Sequence, residues 1–164
     1  MGLPGCAGSP DAGPLASKLP RKAVWPFNYK LAIEANGEYL RVTAKGTYAF
    51  GRTQRLIYVM RESSDAHQLR RVLVDLTGVT GQPPDIDRFE LGERLAQVFG
   101  STHTLAIIGR EESVNRLAET VAQNRGVALR VFFSEREALA WLLPNAHTAG
   151  APDEKGLNPT RAAE

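Results

Sequence analysis

The sequence predicts an α/β domain in which an N-terminal β-hairpin leads into alternating strand and helix units on a mixed, mostly parallel sheet. Three observations predict it. Polar and apolar residues alternate strictly on both sides of an Asn-Gly pair, which marks a hairpin; three short apolar runs bounded by turn residues mark buried strands; and amphipathic stretches at helical spacing separate those runs. Strands that alternate with helices pair in parallel through right-handed crossovers.

At 164 residues the chain has room for one domain and tails, since a chain of this size buries roughly two-thirds of its unfolded surface. Residues 1–26 are rich in glycine and proline and poor in large apolar groups, so they read as a disordered leader that cannot repay the entropy of ordering. The folded domain is expected over 27–143. Residues 144–164 read as a disordered polar tail.

Within the domain, Phe27, Tyr29, Leu31 and Ile33 share one face of the first strand, and Leu40, Val42 and Ala44 resume the alternation on the return strand. Asn36-Gly37 is placed to supply the positive φ angles of a type I′ turn. Leu56, Ile57, Val59 and Met60 predict a helix over 52–66. The continuous run Val72-Leu73-Val74 predicts a strand covered on both faces, after which Gly78, Gly81, Pro83 and Pro84 carry the chain out of the sheet as a loop.

Ile86, Phe89, Leu91, Leu95, Val98 and Phe99 then predict a helix, with Asp85 or Asp87 as its cap, Glu90 three residues after Asp87, and Gly100 closing it. Residues 104–108 form the next buried strand. Gly109 and Arg110 lead into a helix whose Val114, Leu117, Ala118, Val121 and Ala122 keep i, i+3, i+4, i+7, i+8 spacing up to Gly126. Val127 to Phe133 is the last strand. Ser134 and Glu137 have capping-box spacing ahead of a short closing helix that contains Trp141.

Composition excludes several classes of function. The net charge is +2, and the body between the tails carries only +1, with no lysine or arginine stripe to track a nucleic-acid backbone. No apolar run approaches the roughly 20 residues of a membrane span. The single Cys6 has no intramolecular partner, which suits a reducing interior, and the chain reads as cytoplasmic.

Reactive constellations are also missing. The sequence contains no G-x-G-x-x-G, no P-loop lysine and no G-x-S-x-G elbow. His67, His103 and His147 are scattered; the first two read as solvated surface residues, the third lies in the tail, and no metal site emerges. Asp75 ends the buried strand and is the acid best placed for chemistry, although accepting amide hydrogen bonds from the loop that follows is its simpler role. The reading is of a non-enzymatic module without a cofactor.

Ligands and partners of open α/β sheets are met at the carboxyl ends of the strands. That places the candidate contact surface in the loop and helix start over 76–90, with Thr77, Thr80, Asp85, Asp87, Arg88 and Glu90 as its polar residues.

The segments Arg71-Val72-Leu73-Val74-Asp75-Leu76, Asp87-Arg88-Phe89-Glu90-Leu91-Gly92-Glu93-Arg94-Leu95-Ala96, Glu119-Thr120-Val121-Ala122-Gln123-Asn124-Arg125-Gly126-Val127 and Glu137-Ala138-Leu139-Ala140-Trp141-Leu142 carry a family likeness. Over 27–143 the chain resembles the small stand-alone bacterial STAS-like (SpoIIAA-like) proteins, a domain named for sulfate transporters and anti-sigma factor antagonists. The resemblance implies a β-α superhelical fold and a regulatory, protein-binding role. It implies as partner a regulatory kinase, an anti-sigma factor or a transporter-like protein.

In the antagonist members an Asp-Ser-Ser-Gly-like segment after the central strand carries the serine that the partner kinase phosphorylates. Here Thr80-Gly81-Gln82-Pro83-Pro84-Asp85 contains no serine, which leaves Thr77 and Thr80 as the candidate phosphorylation sites. Some relatives of this fold are compared with lipid-carrying CRAL-TRIO domains. The alternative function is therefore a carrier or sensor of a small apolar or lipid-like ligand between helices and sheet, in a pocket lined by Phe89, Phe99 and Phe132, for which core packing is the competing role.

Overall fold

Five strands stand in the sheet in sequence order in the computed structural model, which describes residues 30–144. β1 (Lys30–Asn36) pairs antiparallel with β2 (Tyr39–Thr47), and β3 (Arg71–Thr80), β4 (Thr104–Ile108) and β5 (Ala128–Phe132) follow in parallel. The connections are α1 (Phe50–Ala66), α2 (Asp85–Phe99) and α3 (Leu117–Asn124); α4 (Glu135–Leu142) closes the described chain. The expected leader, most of the expected tail, Phe27 and Tyr29 lie outside the described residues.

Because each crossover steps to the next strand in the same direction, right-handed connections place α1, α2 and α3 on one face of the sheet. Side-chain alternation along the strands then divides the core. Leu40, Val42, Val72, Val74, Leu105 and Leu129 pack toward those three helices, together with Leu56, Leu95 and Phe99. Leu73, Ala106, Ile108 and Phe132 point the other way and are covered by Ala138 and Leu142 of α4. Val72, Leu73 and Val74 are all buried, as a strand covered on both faces requires.

Several local expectations are corrected. The hairpin loop is Gly37-Glu38, because Asn36 pairs with Tyr39, and of Asn36 and Gly37 only Gly37 has positive φ (+58°), so the type I′ turn expected at Asn36-Gly37 does not form. α1 begins at Phe50, two residues early. α2 begins after Pro84 with neither aspartate capping it, and Ser134 makes no side-chain cap to α4. The two aspartates are engaged elsewhere: Asp85 accepts from Asn115 Nδ2 (2.7 Å) and Asp87 accepts from the Tyr48 hydroxyl (2.8 Å); in the first turn of α4, Glu135 pairs with Arg41 of β2.

The helix expected from residue 110 onward is divided. A 3-10 turn (Glu111–Ser113) comes first, Arg116 takes a left-handed backbone (φ +58°), and α3 proper holds only eight residues, so Val114 lies outside it. Asn115 Oδ1 accepts the Leu117 N–H (3.1 Å) and makes a local alternative to helical pairing at that point.

Candidate functional site

The largest departure from expectation is at the end of β3, and it shapes the site. β3 does not leave the sheet after Asp75; it continues to Thr80 because β2 runs beside it, pairing Lys45 with Gly78, Gly46 with Val79 and Thr47 with Thr80. Thr77 and Thr80 are therefore strand residues, and the loop shrinks to 81–84. Gly78 serves close approach rather than turning, since a Cβ there would lie 2.6 Å from Lys45 Cγ. Gly81, with φ +87°, makes the turn.

Between Asp75 and Gly78 the register with β2 shifts by one residue, so that Leu76 and Thr77 together face Ala44. This is a β-bulge, which leaves the extra residue out of the ladder and re-aims the side chains after it. Asp75 Oδ1 accepts both the Thr77 N–H (3.0 Å) and the Thr77 hydroxyl (2.6 Å), which supplies the amide's partner. Asp75 thus accepts an amide bond of the kind expected, inside a bulge instead of a loop. The bulge also turns Leu76 and Val79, three residues apart, toward the same space beneath α1 and α2.

That space is a cavity of about 190 Å³ between α1, β3, α2 and the segment leading into α3. β4 ends at Ile108, opposite Asp75, so the last part of β3 is flanked on that side by the 109–116 segment, from which Arg110 Nη2 donates to the Val79 carbonyl (2.9 Å). Tyr48 ties the other wall, donating its N–H to the Thr80 carbonyl (2.7 Å) and its hydroxyl to Asp87 (2.8 Å). Gln82 donates to the Glu112 carbonyl (2.9 Å), and Arg88 Nε donates to the Pro83 carbonyl (2.9 Å).

The short loop and the start of α2 are consequently held at both ends. Among the proposed polar residues, Thr80, Asp85, Asp87 and Arg88 belong to this tied rim, while Thr77 lies farther back along β3 and Glu90 is exposed on α2. Sequence reasoning missed the clasping partners Tyr48, Arg110 and Asn115, which come from three distant segments. Ile86 and Phe89, counted among the apolar residues that predict α2, are 63% and 39% exposed. The Arg125 guanidinium lies over the Phe89 ring (5.6 Å to the centroid) and also binds Glu93 (2.6 Å), bridging α3 to α2.

The three phenylalanines are not brought together. Phe99 is buried in the three-helix layer, Phe132 in the α4 layer on the opposite face of the sheet, and Phe89 is at the surface. None of them lines the cavity.

His103 is also corrected: it is 2% exposed, not a solvated turn residue. The Ser64 hydroxyl donates to the Leu69 carbonyl, so its oxygen accepts from His103 Nε2 (2.9 Å), and Nδ1 faces Arg61 Nη1 (3.3 Å) and Thr102 Oγ1 (2.8 Å). Burial, then the charges of Arg61 and Arg70, push the His103 pKa down. A serine beside a histidine has the outline of a nucleophile and its base, but the ring's other nitrogen meets a guanidinium where a catalytic pair needs a carboxylate. His67 is exposed as expected, and His147 lies outside the described residues. Among the described residues no cluster of three or more histidine, cysteine, aspartate or glutamate side chains could hold a metal, and no helix is long and apolar enough to cross a membrane.

No family model and no curated protein matches the chain. Among solved structures, an anti-sigma factor antagonist from Mycobacterium paratuberculosis is 13% identical with a TM-score of 0.50, over 70% of this chain and 93% of that one. An uncharacterized protein with a SpoIIAA-like fold from Shewanella loihica is 20% identical over 70% of this chain and 94% of that one, with a TM-score of 0.46. The chain shares the α/β fold of that anti-sigma factor antagonist, as the resemblance implied.

Proposed function

We propose that the chain is a regulatory STAS-like module that docks a protein partner on the rim formed by the 81–84 loop and the first two turns of α2. The observation that carries this reading is the exposure of Ile86 and Phe89, one turn apart on α2, beside a loop already held by Tyr48, Gln82 and Arg88. Large apolar side chains at the surface of a pre-ordered edge are what the centre of a protein interface needs, because little entropy remains to be lost on binding. Asp85 and Glu90 flank them, so the fitting partner presents an apolar patch with basic residues at its margin.

The fold supports this reading, since the similar structure is named for antagonism of an anti-sigma factor, which is action on another protein. Phosphate on Thr80 would add about −1.5 to −2 charges to the acidic rim and strengthen docking of a partner with a basic margin. The module works by binding, and no bond-making step is assigned to it.

The test is affinity purification from the native host with the wild-type chain and with the double variant Ile86→Lys, Phe89→Lys. A partner captured by the wild type and lost by the variant, whose melting curve stays unchanged, supports the surface. A partner retained by the well-folded variant removes it.

A further inference from the structure

We infer that the cavity between α1, β3 and α2 is a binding site for a small, neutral, apolar molecule about the size of one substituted ring. Its walls are Leu56, Met60, Leu76, Val79, Ile107 and Val131. The space, about 190 Å³, is apolar in its lining and partly open to solvent, so a ligand has a way in and its burial would remove apolar wall from water. Apolar cavities of roughly 150 Å³ stay dry and accept benzene.

Two backbone devices hold the space open. The β3 bulge turns both Leu76 and Val79 into it, and the left-handed Arg116 (φ +58°) interrupts the chain between the 3-10 turn and α3, where a continuous helix was expected. Such strained backbone on a non-glycine residue is concentrated at functional sites.

The chemistry of the walls narrows the occupant. The polar side chains at the margin are already engaged within the protein: the Thr53 hydroxyl with the Ala49 carbonyl (3.2 Å), the Tyr48 hydroxyl with Asp87 (2.8 Å), and Asn115 with Asp85 (2.7 Å). Glu119 lies almost wholly buried at the edge, bound by Arg116 (3.0 Å) and by the Val131 N–H (3.2 Å), and Arg88 at the edge donates to the Pro83 carbonyl (2.9 Å), so the charged groups of the lining are committed within the protein and the walls favour a neutral ligand. The volume falls below the ~300 Å³ at which sites for drug-sized ligands begin, which excludes a folded peptide segment and points to a fragment-sized molecule. The site adjoins the docking rim, since Gly81, Pro83 and Arg88 line its edge, but Ile86 and Phe89, the apolar centre of that rim, face solvent and do not line it, so the cavity and the docking surface are tested by different variants.

Toluene is the probe, with benzoate as its charged counterpart, titrated into the full chain while side-chain methyl signals are followed by NMR. Saturable shifts with toluene at Met60, Leu76, Val79 and Ile107, absent with benzoate, are expected. Val79→Phe fills the space and should raise the toluene dissociation constant by about tenfold or more. If that variant does not fold, Ile107→Phe replaces it, and a rise of the wild-type melting temperature with toluene gives a second readout. Shifts that fail to saturate, that spread over the surface, or that survive in a folded filled variant overturn the proposal. So do contacts from residues 1–29 to the cavity methyls, which would mean that the chain fills its own hole.

Discussion

His103 shows how one buried side chain sets a pH dependence. Its pKa is lowered in the folded protein by burial and by the nearby guanidinium charges, while the unfolded chain titrates near ~6.5. Above that pH the ring is neutral in both states and folding pays nothing for it. As pH falls below it, the unfolded chain takes up a proton that the folded chain resists, so stability declines. Urea unfolding at stepped pH should show this decline beginning near pH ~6.5, and His103→Gln, which keeps a donor toward Ser64, should flatten it. Asp65 and Glu135 act lower on the scale. Arg61 and Arg41 hold those carboxyls below their ordinary values, so their contribution is present above the unfolded carboxylate range and is lost as pH falls through the folded pKa. A pH profile unaltered in His103→Gln would assign the whole acid response to the carboxylates. Asp75 makes a second residue-scale case. Asp75→Ala leaves the bulged Thr77 amide without its acceptor and should cost about 1 kcal/mol, whereas Asp75→Asn keeps a side-chain oxygen there and should cost less in the same urea titration.

Among the elements, α2 and α3 meet at a glycine. A Cβ on Gly92 would stand 2.7 Å from Val121 Cβ and 2.8 Å from the Ala118 carbonyl oxygen. Gly92→Ala raises helix propensity by about 1 kcal/mol yet should destabilise overall, because overpacking a buried contact costs about 1–3 kcal/mol; a melting temperature equal to or above wild type would show that the two helices can part. At the other face, Arg41 and Glu135 hold α4 against β2 through two parallel hydrogen bonds. Glu135 is nearly half exposed, so a double-mutant cycle with Arg41→Ala and Glu135→Ala should give a coupling of only about 0.5–1 kcal/mol, reduced by salt. The same elements show what was legible beforehand. Element order and the buried strands were readable because periodicity reports local burial, and the five described strands follow it. The end of β3 and the start of α3 were not. Gly78 and Gly81 look alike in a sequence, but only Gly81 has positive φ; Gly78 answers to Lys45 across the sheet. Likewise the apolar spacing from Val114 onward satisfied a helix that Arg116 interrupts. Contacts between distant segments decided both.

For the molecule as a whole, the sheet divides the interior into two layers, and three phenylalanines that a helical or alternating pattern treats as equivalent occupy three different situations. Phe99 is 1% exposed in the larger layer and packs edge-on against His103 (5.3 Å between ring centroids), so Phe99→Ala should remove about 3–5 kcal/mol. Phe132 sits in the thin layer beneath α4 against Trp141 (5.6 Å), where the short helix can settle toward the sheet, and its truncation should cost less than that of Phe99. Phe89 is covered only in part, by Arg125 (5.6 Å), and Phe89→Ala should alter stability by no more than about 0.5 kcal/mol. The order of the three unfolding free energies therefore tests the layer assignment, and it tests the docking rim as well. A side chain that contributes little to folding, yet stands in the open on a braced edge, is available to a partner. Should Phe89→Ala prove as damaging as Phe99→Ala in denaturant titration, the residue would belong to the core, and the rim would lose half of its apolar centre.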